Sequence, residues 1–180
     1  MKKFFLFVWD FLKIVIISLA IVAPIRYFLF QPFIVRGQSM EPNFSNGNYL
    51  IVDEISYRFR DPQRGEVIVF KSPTNPSQRF IKRIIGLPGE TVEIENGNIR
   101  IFKNGEILFL KESYLPSNFF TSGDIRVKLK DNEYFVLGDN RNFSWDSRKF
   151  GPISRDLIIG RVFLRAWPIS EFSKIEAPAY

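Results

Sequence analysis

Ser39 and Lys82 carry the most pointed chemistry in a chain of 180 residues with no histidine and no cysteine. Without imidazole or thiol, cysteine proteases, histidine-based triads and the usual Cys/His zinc sites are excluded. A serine nucleophile then needs another base, and the common remaining one is a lysine kept neutral by burial. Ser39 stands in Gly37-Gln38-Ser39-Met40-Glu41-Pro42, just after a long apolar N-terminal stretch. Lys82 stands in Phe80-Ile81-Lys82-Arg83-Ile84-Ile85-Gly86-Leu87-Pro88-Gly89-Glu90. Two-residue alternation puts Lys82 on one strand face with Phe80 and Ile84. Among apolar neighbours a lysine loses hydration, its charged form is disfavoured, and it can accept a serine proton. Arg83 shares the other face with Ile81 and Ile85, so alternation alone leaves open which of the two points inward. Arginine is too basic to serve as the base. Each feature also has a plainer explanation: loop serines bond turns, and strand lysines snorkel to water.

These residues need elements to hold them. Phe4 to Ala23 is a mostly Phe, Leu, Ile and Val run, long enough as a helix to span the hydrocarbon core of a bilayer. Asp10 and Lys13 interrupt it three apart, on one helix face. The run passes into Pro24-Ile25-Arg26-Tyr27-Phe28-Leu29-Phe30 with no small-residue cleavage site, so a retained anchor is expected rather than a removed leader. Lys2 and Lys3 favour a cytoplasmic N-terminus. Tyr27, Phe28, Phe30 and Phe33 read as an interfacial aromatic belt or as part of a first strand. The boundary is expected near residue 30, with residues 31–180 as an extracytoplasmic β-domain. There, Tyr49 to Val52, Glu66 to Lys71 and Phe80 to Ile85 read as strands. Asn96-Gly97 and Asn104-Gly105 join three more into a meander, and Asp131-Asn132 is expected to join Ile125–Leu129 to Tyr134–Leu137 as a hairpin. Ile158 to Trp167 supplies a late strand. The expected fold class is mostly β, an antiparallel barrel or sandwich-like fold with one N-terminal transmembrane helix. The formal net charge of +6 suits attraction to anionic headgroups, and the basic residues alternate with acidic ones, which does not favour nucleic acid.

A third polar segment runs Leu137-Gly138-Asp139-Asn140-Arg141-Asn142-Phe143-Ser144-Trp145-Asp146-Ser147-Arg148. Together, Ser39-Met40-x-Pro42 after an apolar run, Gly65-Glu66-Val67, Lys82-Arg83-x-x-Gly86-x-Pro88-Gly89 and this segment resemble the bacterial type I signal peptidases, in that family's order. The resemblance implies Ser39 as nucleophile, Lys82 as general base and Ser144 as the hydroxyl that orients Lys82. It implies Asp139, Arg83, Asp146 and Arg148 as ionic supports, and Phe33, Val35 and Ile81, with Met40, as substrate-binding residues around pockets for small side chains. It also implies no metal or cofactor, signal-peptide-bearing preproteins as partners, and a place in the bacterial cytoplasmic membrane near the secretion translocon. Gly37 stands where some members carry a serine that helps bind the oxyanion. Two alternatives are a self-cleaving Ser-Lys repressor-type protease and an inactive membrane-tethered β-domain that binds exported chains.

Overall fold

The computed structural model describes residues 2–28, 30–117 and 119–180, apart from the side chains of residues 21–30 and a few near the N-terminus. After helix α1 (Lys2–Phe28), the chain forms β1 (Phe30–Ile34), β2 (Tyr49–Asp53), β3 (Val67–Lys71) and β4 (Arg79–Gly86). Then come β5 (Thr91–Glu95), β6 (Asn98–Lys103), β7 (Glu106–Phe109) and β8 (Ile125–Lys128). β9 (Glu133–Leu137), the short helix α2 (Ser147–Phe150), β10 (Ile153–Ser154), β11 (Ile158–Trp167) and β12 (Ser173–Lys174) complete the order. Among the described residues, one antiparallel sheet runs β1-β2-β11-β3-β4-β9-β10, with β12 added on β11; a smaller one runs β7-β6-β5-β8.

The sequence of β3 explains why the large sheet is rigid where it matters. Val67 and Val69 face a core containing Val35, Leu50, Val52, Ile81 and Val162. Ile68 and Phe70 face another, with Tyr57, Ile84, Val136 and Ile153. Each such buried side chain contributes about 1.5–3 kcal/mol relative to exposure. The first core brings Val35, just beyond β1, onto Ile81 of β4, although β2, β11 and β3 stand between them in the sheet. The sheet therefore curls into an incomplete barrel. β4 pairs with β3 from Arg79 to Arg83 but with β9 only from Arg83 onward, so among the described residues its first half keeps an unpaired edge.

The smaller sheet is the expected meander. Asn96 and Gly97, and Asn104 and Gly105, all take positive φ, as tight two-residue hairpins require. Its inner face packs on the large sheet through Val92, Ile94, Ile99 and Ile101 against Ile85, Phe135 and Leu137. The expected hairpin across Asp131-Asn132 does not form: β8 pairs with β5, and β9 pairs with β4 and β10. Tyr134 to Leu137 are buried without alternation. Such a strand needs cover on both faces, which the large sheet supplies and a surface ribbon cannot.

In α1, Lys13 bonds Asp10 at 3.3 Å, one turn apart. Phe4, Phe7, Phe11, Ile14 and Ile16 are exposed. Among the described residues no helix is long and apolar enough to cross a membrane. The expected belt residues Tyr27, Phe28 and Phe30 lie outside the described side chains.

Candidate active site

Ser39 lies in a turn that follows β1, at the mouth of the gap between β1 and β4. The turn is tied down by its own sequence. Gly37 takes φ +87° and its amide donates to Asn46 Oδ1 at 2.9 Å; the Glu41 amide donates to the Gln38 carbonyl at 3.1 Å. Met40 is fully buried beneath it. From the other side, the loop after β9 clamps the turn. The Asn140 amide donates to the Ser39 carbonyl at 3.1 Å, and Asn140 Nδ2 donates to the Gln38 carbonyl at 3.1 Å. Gly138 makes that approach possible, because a Cβ there would run into the Ser39 carbonyl and the Ser144 side chain.

Lys82 comes from β4, paired opposite Ile68 of β3. Its Nζ lies 2.7 Å from Ser39 Oγ and donates to the Ile81 carbonyl at 2.8 Å. The side chain is buried, with Nζ 5.8 Å from the centre of the Phe80 ring. Desolvation pushes its pKa down from 10.5 to about 8, against the pull of Asp146 and then Asp139. Both neighbouring β4 faces are buried, so Lys82 and Arg83 each point inward, on opposite sides.

The carboxylates near Lys82 are each held by an arginine. Asp139 accepts from Arg83 Nε at 2.9 Å and Nη2 at 2.6 Å, while Arg83 Nη1 donates to the Gly65 carbonyl at 2.9 Å. Burial alone would lower the Arg83 pKa; Asp139 more than offsets this and holds the guanidinium cationic. Asp146 accepts from Arg148 Nε at 2.9 Å and Nη2 at 2.8 Å, and from the Gly138 amide at 3.1 Å. Burial would raise Asp146, and the Arg148 bonds bring it below the ordinary carboxylate value. Removing one partner from such a buried pair typically costs about 3–5 kcal/mol.

Ser144 is brought over Gly138, beside the Ser39 turn, where its hydroxyl helps to keep Asp146 ionised; among the described residues it makes no bond to Lys82. The bond that holds Lys82 Nζ beside Ser39 Oγ is the one to the Ile81 carbonyl. The gap between β1 and β4 is an open groove of about 680 Å³ with Phe33 and Ile81 on its lining and Ser39 and Lys82 at one end. Val35 and Met40 are not on that lining; both lie in the core beneath.

Three supporting residues have no signal in the sequence that marks them. Asn140 sits in the polar run after β9, and nothing in spacing links it to Ser39. Asn43 donates to Asp139 Oδ2 at 2.8 Å across ninety-six positions of sequence. Glu112 bonds the buried Arg141 through both oxygens at 2.5 Å, and Arg141 Nε donates to the Gly138 carbonyl at 2.9 Å. Such long-range partners have no local signature.

Residues 8–167 match the family model described as signal peptidase, peptidase S26. A probable signal peptidase I-2 of Synechocystis sp. is 40% identical over 164 residues, covering 87% of this chain and 72% of the relative. A signal peptidase I of Leptolyngbya laminosa is 38% identical over 177 residues, covering 93% and 83%. A crystal structure of a signal peptidase I from Enterococcus faecalis V583 aligns with 37% identity over 57% of this chain and 97% of its own, with a TM-score of 0.49.

Proposed function

The chain belongs to the signal peptidase family, peptidase S26, and from that premise we propose that Ser39 and Lys82 are the catalytic dyad with which it cuts signal peptides from preproteins. It is a serine peptidase acting on signal-peptide-bearing chains. The observation that carries the dyad is the 2.7 Å contact between Lys82 Nζ and Ser39 Oγ, made by a lysine whose pKa is lowered to about 8. Neutral Lys82 takes the Ser39 proton as Oγ attacks the scissile carbonyl. The resulting ammonium gives its proton to the leaving amine as the peptide C–N bond breaks. Water then attacks the acyl-Ser39 ester, giving a proton to Lys82; the acyl C–Oγ bond breaks, and the Lys82 ammonium returns that proton to Ser39 Oγ as the carboxylic acid leaves.

Charge on the tetrahedral oxygen needs donors already in place. The Ser39 amide is free of any described acceptor and suits this role. Gly37 offers no hydroxyl, and its own amide is committed to Asn46. Phe33 and Ile81 would wall the pocket for small residues before the cut, with the substrate strand lying between the open edges of β1 and β4. Ser144 stands beside this site, over Gly138, with its hydroxyl bearing on Asp146.

Replacing Ser39 by Ala or Lys82 by Ala should each abolish cleavage of a model preprotein while leaving the circular dichroism spectrum unchanged. Lys82→Arg should be equally inactive, since guanidinium stays protonated. Authentic cleavage by any of the three at a substantial rate would refute the assignment.

The same reading makes α1 a membrane anchor, N-terminus cytoplasmic, with the β-domain on the outer side beside the translocon. Its support is the apolar run Phe4–Ala23, the pairing of its two interrupting charges, and the uncovered Phe4, Phe7 and Phe11. Protease added to intact spheroplasts should digest the β-domain, and its full protection would overturn the orientation.

A further inference from the structure

The groove leading to Ser39 is lined by three cationic residues, Arg36, Arg79 and Lys82, and by no carboxylate. Two of the three have partners. Lys82 holds Ser39 Oγ and the Ile81 carbonyl. Arg79 reaches Gln31 at 3.3 Å and favours the charge of the Glu54 carboxylate. Arg36 is exposed and, among the described residues, pairs with no carboxylate and donates to no acceptor.

Position decides what Arg36 would meet. The Arg79–Gln31 bond marks one end of the groove, and the Lys82–Ser39 contact marks the other. From residue 79 to residue 82 a strand advances about 10 Å. Helix α1 enters β1 at the Gln31 end, so a chain emerging beside it lays its signal portion toward Arg79 and its mature portion beyond Ser39. Arg36, two residues past the end of β1, lies at the Ser39 end of the groove, where the chain after the cut departs.

We propose that Arg36 is a specificity-determining residue that favours a carboxylate, and disfavours lysine or arginine, within the first two residues after the cut. The inference rests on the Ser39/Lys82 reading above. At an exposed site, attraction and repulsion each contribute a factor of about 2–5, so Asp over Lys should amount to about tenfold in kcat/KM at low salt.

The test uses the full chain in vesicles of neutral lipid. Its substrates are three quenched peptides spanning one cleavage site, with Asp, Asn or Lys at the second mature residue. Wild type should rank them Asp, Asn, Lys, with the spread shrinking at about 0.5 M salt. Arg36→Lys should keep the order, Arg36→Gln should flatten it, and Arg36→Glu should invert it. An order unaffected by Arg36→Glu overturns the proposal. If Arg36 instead engages anionic lipid, Arg36→Glu would change all three rates by one factor, and only in anionic vesicles; that result also overturns it. Failure of wild type to cut any peptide would count against the dyad, whereas equal cutting of all three counts against Arg36 alone.

Discussion

At the scale of single residues, the site turns on how two carboxylates are kept from recharging a buried lysine. Desolvation lowers Lys82 to about 8, while Asp146 and Asp139 pull the other way. Each carboxylate is met by an arginine at hydrogen-bonding distance, which neutralises much of that pull. The rate should therefore rise with pH along a limb with a midpoint near 8, as Lys82 loses its proton. Asp146→Asn should move the midpoint down, because a raising influence is gone. Arg148→Gln should move it up, because Asp146 then acts on Lys82 unopposed. A pH profile of kcat/KM reads both, and parallel shifts in the two variants would contradict this balance. The proposed dyad is suggested in the sequence by elimination, since a chain without histidine leaves few bases. Asp139 and Arg83 are named as ionic supports only through resemblance, and their pairing was not legible, since nothing local links positions 83 and 139.

At the scale of elements, strands with alternating or continuous apolar runs were legible, and the connections between them less so. Both Asn-Gly turns of the meander form where dipeptide chemistry demands positive φ. The Asp131-Asn132 segment carries turn-favouring residues but no glycine, and β9 joins the large sheet because its four buried residues find cover there. Turn residues permit a hairpin; burial decides which edge a strand takes. The β9 end also shows why the loop after it approaches the nucleophile so closely. Gly138 has no side chain, and the Ser39 carbonyl and Ser144 occupy the space a Cβ would need. Gly138→Ala should push the loop from the Ser39 turn and weaken the Asn140 clamp. The expected outcome is a loss of at least tenfold in kcat, with a stability cost of about 1–3 kcal/mol from overpacking. Equal activity with wild type would mean that the clamp does not position Ser39.

At the scale of the whole molecule, the curled sheet buries Lys82 among aromatic and branched side chains, and this burial works against stability. In the unfolded chain the lysine titrates at its ordinary 10.5; in the folded chain it does so at about 8. Between those values the unfolded state holds a proton that the folded state has released, so stability rises with pH across that window. Below about pH 8 the lysine is charged in both states and the burial penalty is complete, at roughly 3 kcal/mol. Lys82→Met removes the charge at similar volume. It also deprives the Ile81 carbonyl and Ser39 Oγ of a donor, which costs about 1–2 kcal/mol. The inactive variant should therefore be more stable than wild type at pH 7, by about 1–2 kcal/mol net, and should lose that advantage as pH rises through the window from 8 toward 10.5. Urea unfolding of both proteins at pH 7 and pH 10 measures the difference. A variant less stable than wild type at pH 7 would mean that Lys82 is not desolvated in the folded chain, and the low pKa on which the dyad depends would lose its physical cause.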